Sequence, residues 1–335
     1  MSRYTCLAVL LPVALLLLSQ VGLGSSSNVL SLQRMAKAER AGGLIADHAC
    51  LDLNSIPTEW VESAQVSLKV HYAHTSHGSQ VTTGLDLIEE GDPSFSQTQG
   101  DCFLPTESHS LCILDGNPPN SYVTPDLYWE TPEGLALTQT TLDDNPTLTV
   151  SMWSWCTQLN DYSEEQTQAY LDAMSSLEEA NPDVTFVYMT GNAQATGAEG
   201  YNRWLRNEQI RQFCSDGGRV LFDFEDLDCW SNGEHSTYSY TTASSSYSVP
   251  VEHEDFHGDQ AGHTTYASCE QKARAFWWLM VRLAGWNAQN TDSTTTSVTT
   301  SSVAGPYDYG GTLLLGGSLL VGLTLVTIIV YRYKH

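Results

Sequence analysis

The 335-residue chain carries 39 acidic against 14 basic residues, a formal net charge of −25. So negative a surface lacks the basic footprint that nucleic-acid binding needs, and nucleic acid is not expected as a partner. The eight cysteines contain no C-x-x-C pair, which removes a zinc ribbon and a thioredoxin-like redox site from consideration.

In chain order, Arg3 precedes an apolar run over residues 7–18 and small residues around Gly22 and Gly24. This is the layout of a secretory signal, so residues 1–24 read as a signal peptide and 25–43 as an N-terminal leader. Cleavage removes Cys6 and leaves Cys50, Cys102, Cys112, Cys156, Cys214, Cys229 and Cys269. In an exported chain these predict up to three disulfides and one free thiol, with Cys102–Cys112 and Cys229–Cys269 as the first pairings to test. No Asn-x-Ser/Thr sequon with a permitted middle residue occurs, so N-glycosylation is not expected.

Residues 44–286 are long enough for one substantial domain. Its centre of interest is a strand over 66–72 that breaks into a polar turn and resumes as a helix over 78–90, with Val81, Leu85 and Ile88 on one stripe. The turn holds His74, Thr75, Ser76, His77, Gly78 and Ser79. A hydroxyl there stands at the carboxyl edge of a sheet with helix amides facing any anion formed beside it, whereas the plainer role of Ser76 or Ser79 is a helix cap.

Residues 91–145 are rich in Gly, Pro, Asp and Asn without sustained period and read as a long loop region with short elements. A strand over 148–152 runs into Trp153, Ser154, Trp155 and Cys156, where buried packing is the commoner use of tryptophan and sugar stacking the alternative. Ser163 and Gln166 form a capping box for a helix striped by Tyr170, Met174 and Leu177, which Asn181 and Pro182 stop. A buried strand over 184–189 ends in Thr190, Gly191 and Asn192; a helix over 201–215 and a strand over 220–224 follow. Residues 225–262 form a second irregular region, with an exposed Ser/Thr/Tyr tract over 235–249 and then EHEDFHGDQAGH. A closing helix over 267–284 carries Ala273, Phe276, Trp277, Met280 and Leu283. The alternation of strand and helix predicts an α/β, doubly wound parallel sheet with helices on both faces.

Beyond the domain, residues 287–308 are dominated by Ser and Thr and read as an extended stalk. Residues 309–331 contain no charge and are long enough to cross a bilayer, and Arg332 and Lys334 in the 332–335 tail place that end on the cytoplasmic side. The expected arrangement is a single-pass cell-surface protein with its domain outside.

The polar turns at Ser76, at Asn192 and in the Asp/His group ending at His263 fall where an open parallel sheet gathers its ligand-binding loops. Serine hydrolysis needs a hydroxyl, an imidazole, a carboxylate and oxyanion donors. The motifs HTSHG (His74, Ser76, Gly78) and VTFVYMTGN (Gly191, Asn192), and His263 ahead of CEQKARAFWWLMVRLAGW, resemble those of the SGNH/GDSL hydrolase superfamily, in exported members with a His-x-Ser-x-Gly nucleophile turn. The resemblance implies a three-layer α/β/α flavodoxin-like fold. It makes Ser76 the nucleophile and His263 the base, with the Ser76 amide, Asn192 and Gly191 around the oxyanion. Asp259, or else Asp255, would orient His263; the family spaces its acid three residues before the histidine, and Asp259 stands four before it. His74, His77, Gly78 and His257 would support the site. The implied substrate is an extracellular ester, such as an O-acylated carbohydrate, with no cofactor. Two other readings compete: a metal-dependent hydrolase built from His71, His74, His77, His253, His257 and His263 with Glu252, Glu254, Asp255 and Asp259, and a non-catalytic binding module. Nothing in the sequence speaks to oligomeric state.

Overall fold

The computed structural model describes residues 43–287. The signal peptide, nearly all of the leader, the stalk from residue 288 on, the membrane span and the tail expected from the sequence lie outside the described residues. Among the described residues no helix is long and apolar enough to cross a membrane.

A seven-stranded, all-parallel sheet forms the centre, in the order β1-β7-β6-β5-β2-β4-β3. The strands are β1 (Leu44–Ala46), β2 (Lys69–His74), β3 (Gln97–Asp101), β4 (Leu111–Asp115), β5 (Val150–Ser154), β6 (Thr185–Met189) and β7 (Val220–Phe222). Because β2 lies between β4 and β5, the chain winds toward one edge through β3 and toward the other through β5, β6 and β7. The carboxyl end of β2 is therefore the point where the winding reverses, and there the loops on either side separate into a crevice.

Seven α-helices join the strands among the described residues. Helices α1 (Thr58–Ser67), α2 (Ser79–Gly91) and α7 (Tyr266–Leu283) pack together, and α7 also crosses β1 and β7. Helices α3 (Pro132–Asp144), α4 (Glu164–Ala180) and α5 (Gly197–Gly217) form a second group, and the short α6 (Phe224–Cys229) touches α7. Val81, Leu85 and Ile88 on α2 are buried as the stripe predicts, as are Tyr170, Met174 and Leu177 on α4, whose Ser163/Gln166 capping box is formed. Ala273, Phe276, Trp277, Met280 and Leu283 of α7 are buried too.

Several elements differ from the sequence expectation. The strand predicted over 66–72 starts at Lys69, because residues 66 and 67 complete α1, where Val66 faces solvent. The region 91–145 is not a long loop: it holds β3, β4 and α3. Edge strand β3 reads Gln-Thr-Gln-Gly-Asp, and α3 buries Gly134, Thr138, Thr141 and Leu142, so neither shows apolar periodicity. The legible signal was the Thr131 cap with Pro132 in the first turn, where proline's missing N–H costs nothing. The Ser/Thr/Tyr tract is an antiparallel hairpin of β10 (Thr237–Thr241) and β11 (Ser246–Pro250), after the two-residue pair β8 (Trp230–Ser231) and β9 (Glu234–His235). Tyr240 stacks on Tyr201 of α5 and Tyr247 tilts against it, ring centroids 4.6 and 5.0 Å away, so the hairpin is packed rather than free. All seven described cysteines are free; neither Cys102–Cys112 nor Cys229–Cys269 is bonded.

The tightest helix contact is α2 on α7. A Cβ at Gly84 would lie 2.0 Å from the Cys269 carbonyl oxygen and 2.8 Å from the Ala273 Cβ, so only glycine permits this approach. Gly84→Ala is expected to cost about 1–3 kcal/mol through overpacking, read as a lower urea midpoint at unchanged slope.

Candidate functional site

The site lies at the carboxyl ends of β2, β5 and β6. Strand β2 ends at His74 and the chain turns through a 3-10 helix, Ser76–Gly78, directly into α2. Gly78 is required for that turn: an added Cβ would meet the His74 Cβ at 2.2 Å and the Tyr72 hydroxyl, which donates to the Gly78 carbonyl, at 2.9 Å. Ser76 is half-buried and His77 buried. His74 Nε2 stands 2.9 Å from Asp115 Oδ1, a contact that ties the end of β2 to the end of β4.

Strand β5 delivers Cys156. Trp153 and Trp155, two apart and so on one face, are buried with Trp129 and Tyr170 and beside the partly buried Tyr162, ring centroids of the two tryptophans 4.9 Å apart. Their indoles donate to Val123 and Met189 carbonyls, so both serve packing. The next residue is held at both ends of its peptide: the Cys156 amide donates to Gln158 Oε1 at 2.8 Å, and the Asn192 amide nitrogen donates to the Cys156 carbonyl at 2.6 Å.

The imidazole of His77 is the hub. Its Nδ1 lies 3.0 Å from Cys156 Sγ, and its Nε2 lies 2.9 Å from Gln194 Oε1. The Gln194 nitrogen donates to the His263 carbonyl at 2.7 Å and to Glu252 Oε1 at 3.2 Å. A peptide carbonyl can only accept, so the amide nitrogen must face it and the amide oxygen must face His77. Nε2 then carries a proton, and Nδ1 is the basic nitrogen turned toward sulfur.

The electrostatics follow this geometry. Burial pushes the Cys156 thiol up, but the hydrogen bond and charge of His77 outweigh it, with help from Ser76 and Thr75, and the thiol is brought down to about 6. Burial pulls His77 down, and its contacts with Cys156, then Gln194 and the charge of Asp228, raise it above its ordinary value. The two directions agree on a thiolate beside an imidazolium near neutral pH. The Thr75 hydroxyl, buried without another hydrogen-bond partner, adds to the same field.

The residues expected from the sequence gather only in part. Ser76 Oγ lies 3.7 Å from Cys156 Sγ and makes no hydrogen bond to His263. His263 ends the loop in a left-handed conformation with φ 69°, its ring 5.0 Å from that of His77, and its backbone carbonyl rather than its imidazole enters the hydrogen-bond chain. Its contact with Asp259 is 3.8 Å long between side chains 54% and 89% exposed, where a pair is worth little. Asp255 accepts from Ser231 and Asn232 instead, and His257 is exposed. Gly191 donates its amide to Asn207 Oδ1 at 2.8 Å, and the Asn192 side chain clamps Cys156.

The histidines of the metal reading do not converge either. His71, buried and lowered to about 4 by desolvation, bridges Ser151 and the Gly116 carbonyl, while His74 and His77 are engaged as above. Among the described residues, the group with metal-ligand spacing is Asp47, His48 and Asp226, at the β1 edge of the sheet, where His48 is hydrogen-bonded to Asp226. Sequence reasoning missed Cys156 and Gln194. A cysteine directly after a Trp-x-Trp strand end was the visible signal for the first; nothing local marks the second, which lies 117 positions from His77.

No protein-family model matches the chain, and no curated protein matches its sequence.

The thiolate absorbance at 240 nm, taken as wild type minus Cys156→Ser, is expected to rise with a midpoint at about 6. Gln194→Leu, which removes the acceptor at Nε2, is expected to move that midpoint upward, toward an ordinary thiol.

Proposed function

We propose that this protein hydrolyses acyl bonds through a covalent acyl-enzyme at the carboxyl edge of β2 and β5, with His77 as its general base. The observation that carries the reading is the His77 imidazole held between an amide oxygen and a sulfur, 2.9 and 3.0 Å away, with a half-exposed hydroxyl and a half-exposed thiol side by side at its mouth. An oriented imidazole beside an accessible nucleophile is the core of acyl transfer. The first N–H groups of the Ser76–Gly78 turn have no acceptor within their own helix, and they suit the oxyanion that attack would form.

The parallel sheet with two groups of helices fits a three-layer, flavodoxin-like arrangement of the SGNH type. On this reading the base differs from the sequence expectation, since His263 contributes its backbone to the Gln194 network. The substrate is an ester on the cell exterior, an O-acylated carbohydrate being the class that suits a domain carried on a stalk above a membrane anchor.

Turnover of p-nitrophenyl acetate by the full-length protein tests this. His77→Ala is expected to lower the rate roughly 10²- to 10⁴-fold, and His263→Ala far less. The opposite order would restore His263 as the base, and no turnover by folded wild-type protein would leave a binding module.

A further inference from the structure

We infer that the attacking atom is Cys156 Sγ rather than Ser76 Oγ, so that the protein is a thiol-dependent acyl hydrolase whose intermediate is a thioester on Cys156. This rests on the acyl-hydrolase reading above and names the atom that starts its chemistry.

Three independent observations carry it. The basic nitrogen of His77 faces the sulfur at 3.0 Å, whereas among the described residues the polar partner of Ser76 Oγ is that same sulfur, at 3.7 Å. A nucleophile needs a proton acceptor within reach, and here the thiol has one and the hydroxyl does not. Second, the sulfur's position is specified. The Cys156 peptide is clamped by Gln158 and by the buried Asn192, behind a Trp155 that is fixed by its own hydrogen bond. Third, Cys156 is partly exposed while its base is enclosed: Cys156 is half-buried and His77 only 3% exposed. The purely structural thiols of this chain look different. Cys50, Cys214, Cys229 and Cys269 are buried, and desolvation pushes each of them upward.

The chemistry balances with water alone. The thiolate attacks the acyl carbon, a carbon–sulfur bond forms, and the carbonyl electron pair moves onto oxygen beside the amides of Ser76 and His77. The tetrahedral intermediate collapses, the bond to the leaving oxygen breaks, and that oxygen takes the proton from His77 Nδ1. Water then gives a proton to Nδ1 as it attacks the thioester; the carbon–sulfur bond breaks, and the acid leaves a thiolate beside an imidazolium. Nothing is oxidised or reduced. Ser76 takes the part of a hydroxyl donor to the anionic sulfur.

The full-length protein is mixed with p-nitrophenyl acetate, quenched in acid and digested, and the acetyl group is located by mass spectrometry. The inference expects acetyl on the peptide bearing Cys156, released by neutral hydroxylamine as thioesters are. It also expects turnover at least about a hundredfold lower in both Cys156→Ser and Cys156→Ala, with Ser76→Ala losing no more than about tenfold. Iodoacetamide at pH 6.5 should alkylate Cys156 before every other thiol and abolish turnover, a readout that needs no folded variant. Acetyl on Ser76, stable to neutral hydroxylamine, or a Cys156 no faster to alkylate than the other thiols, overturns the inference while the hydrolase reading stands. Wild-type protein that neither turns over nor acquires acetyl defeats both.

Discussion

The arrangement around His77 depends on a buried ion pair that touches neither His77 nor Cys156. Lys272 of α7 and Asp228 of α6 are 0% and 1% exposed and stand 2.6 Å apart. Burying such charges costs several kcal/mol per ion unless each is otherwise satisfied. Here the ammonium also donates to Ser268 and lies over the rings of Phe224 and Phe256, and the other carboxylate oxygen accepts the Ala193 amide at 2.8 Å. The Asp228 carbonyl in turn accepts from the His253 amide. Ala193 precedes Gln194 and His253 follows Glu252, so one buried pair is bonded to the backbone beside Gln194, which contacts the imidazole, and beside Glu252, which accepts from Gln194.

The site also works against the molecule's overall charge. A net charge of −25 favours cations and penalises any further anion, which by itself would hold a thiol protonated. Long-range fields are screened within roughly 10 Å in salt, whereas hydrogen bonds at 3 Å are not. The sulfur therefore responds to His77, Ser76 and Thr75 rather than to the distant acidic surface. His77 likewise answers to its near neighbours, Cys156, Gln194 and the charge of Asp228.

Much of the architecture was legible in the sequence because it is written in local periodicity. The stripes of α2, α4 and α7, the Ser163/Gln166 box and the alternation of buried strands with helices led directly to a parallel sheet and to the turn after β2 as its focus. Elements built on threonine, glycine and glutamine, such as α3 and β3, carry no such period and were hidden. The site was legible at Ser76, His77 and Asn192 as positions, but not in its wiring. Whether an imidazole faces a hydroxyl or a sulfur is decided by how β2 and β5 lie side by side, and no spacing rule encodes the pairing of His77 with Cys156 and Gln194.

The sheet order bears on when during synthesis such a site can exist. Strand β1 pairs with β7 and also packs against α7, so the first and last elements of the described domain are neighbours. Contacts between distant parts of a chain form late, since the loop between them must be closed before they give anything back. The Ala193 amide next to Gln194 is held by Asp228, and Asp228 by Lys272 on the final helix. A nascent chain still lacking α7 has its histidine and its thiol but not the frame that turns one toward the other. The contacts that hold the Gln194 segment in place are therefore complete only once the last helix has docked.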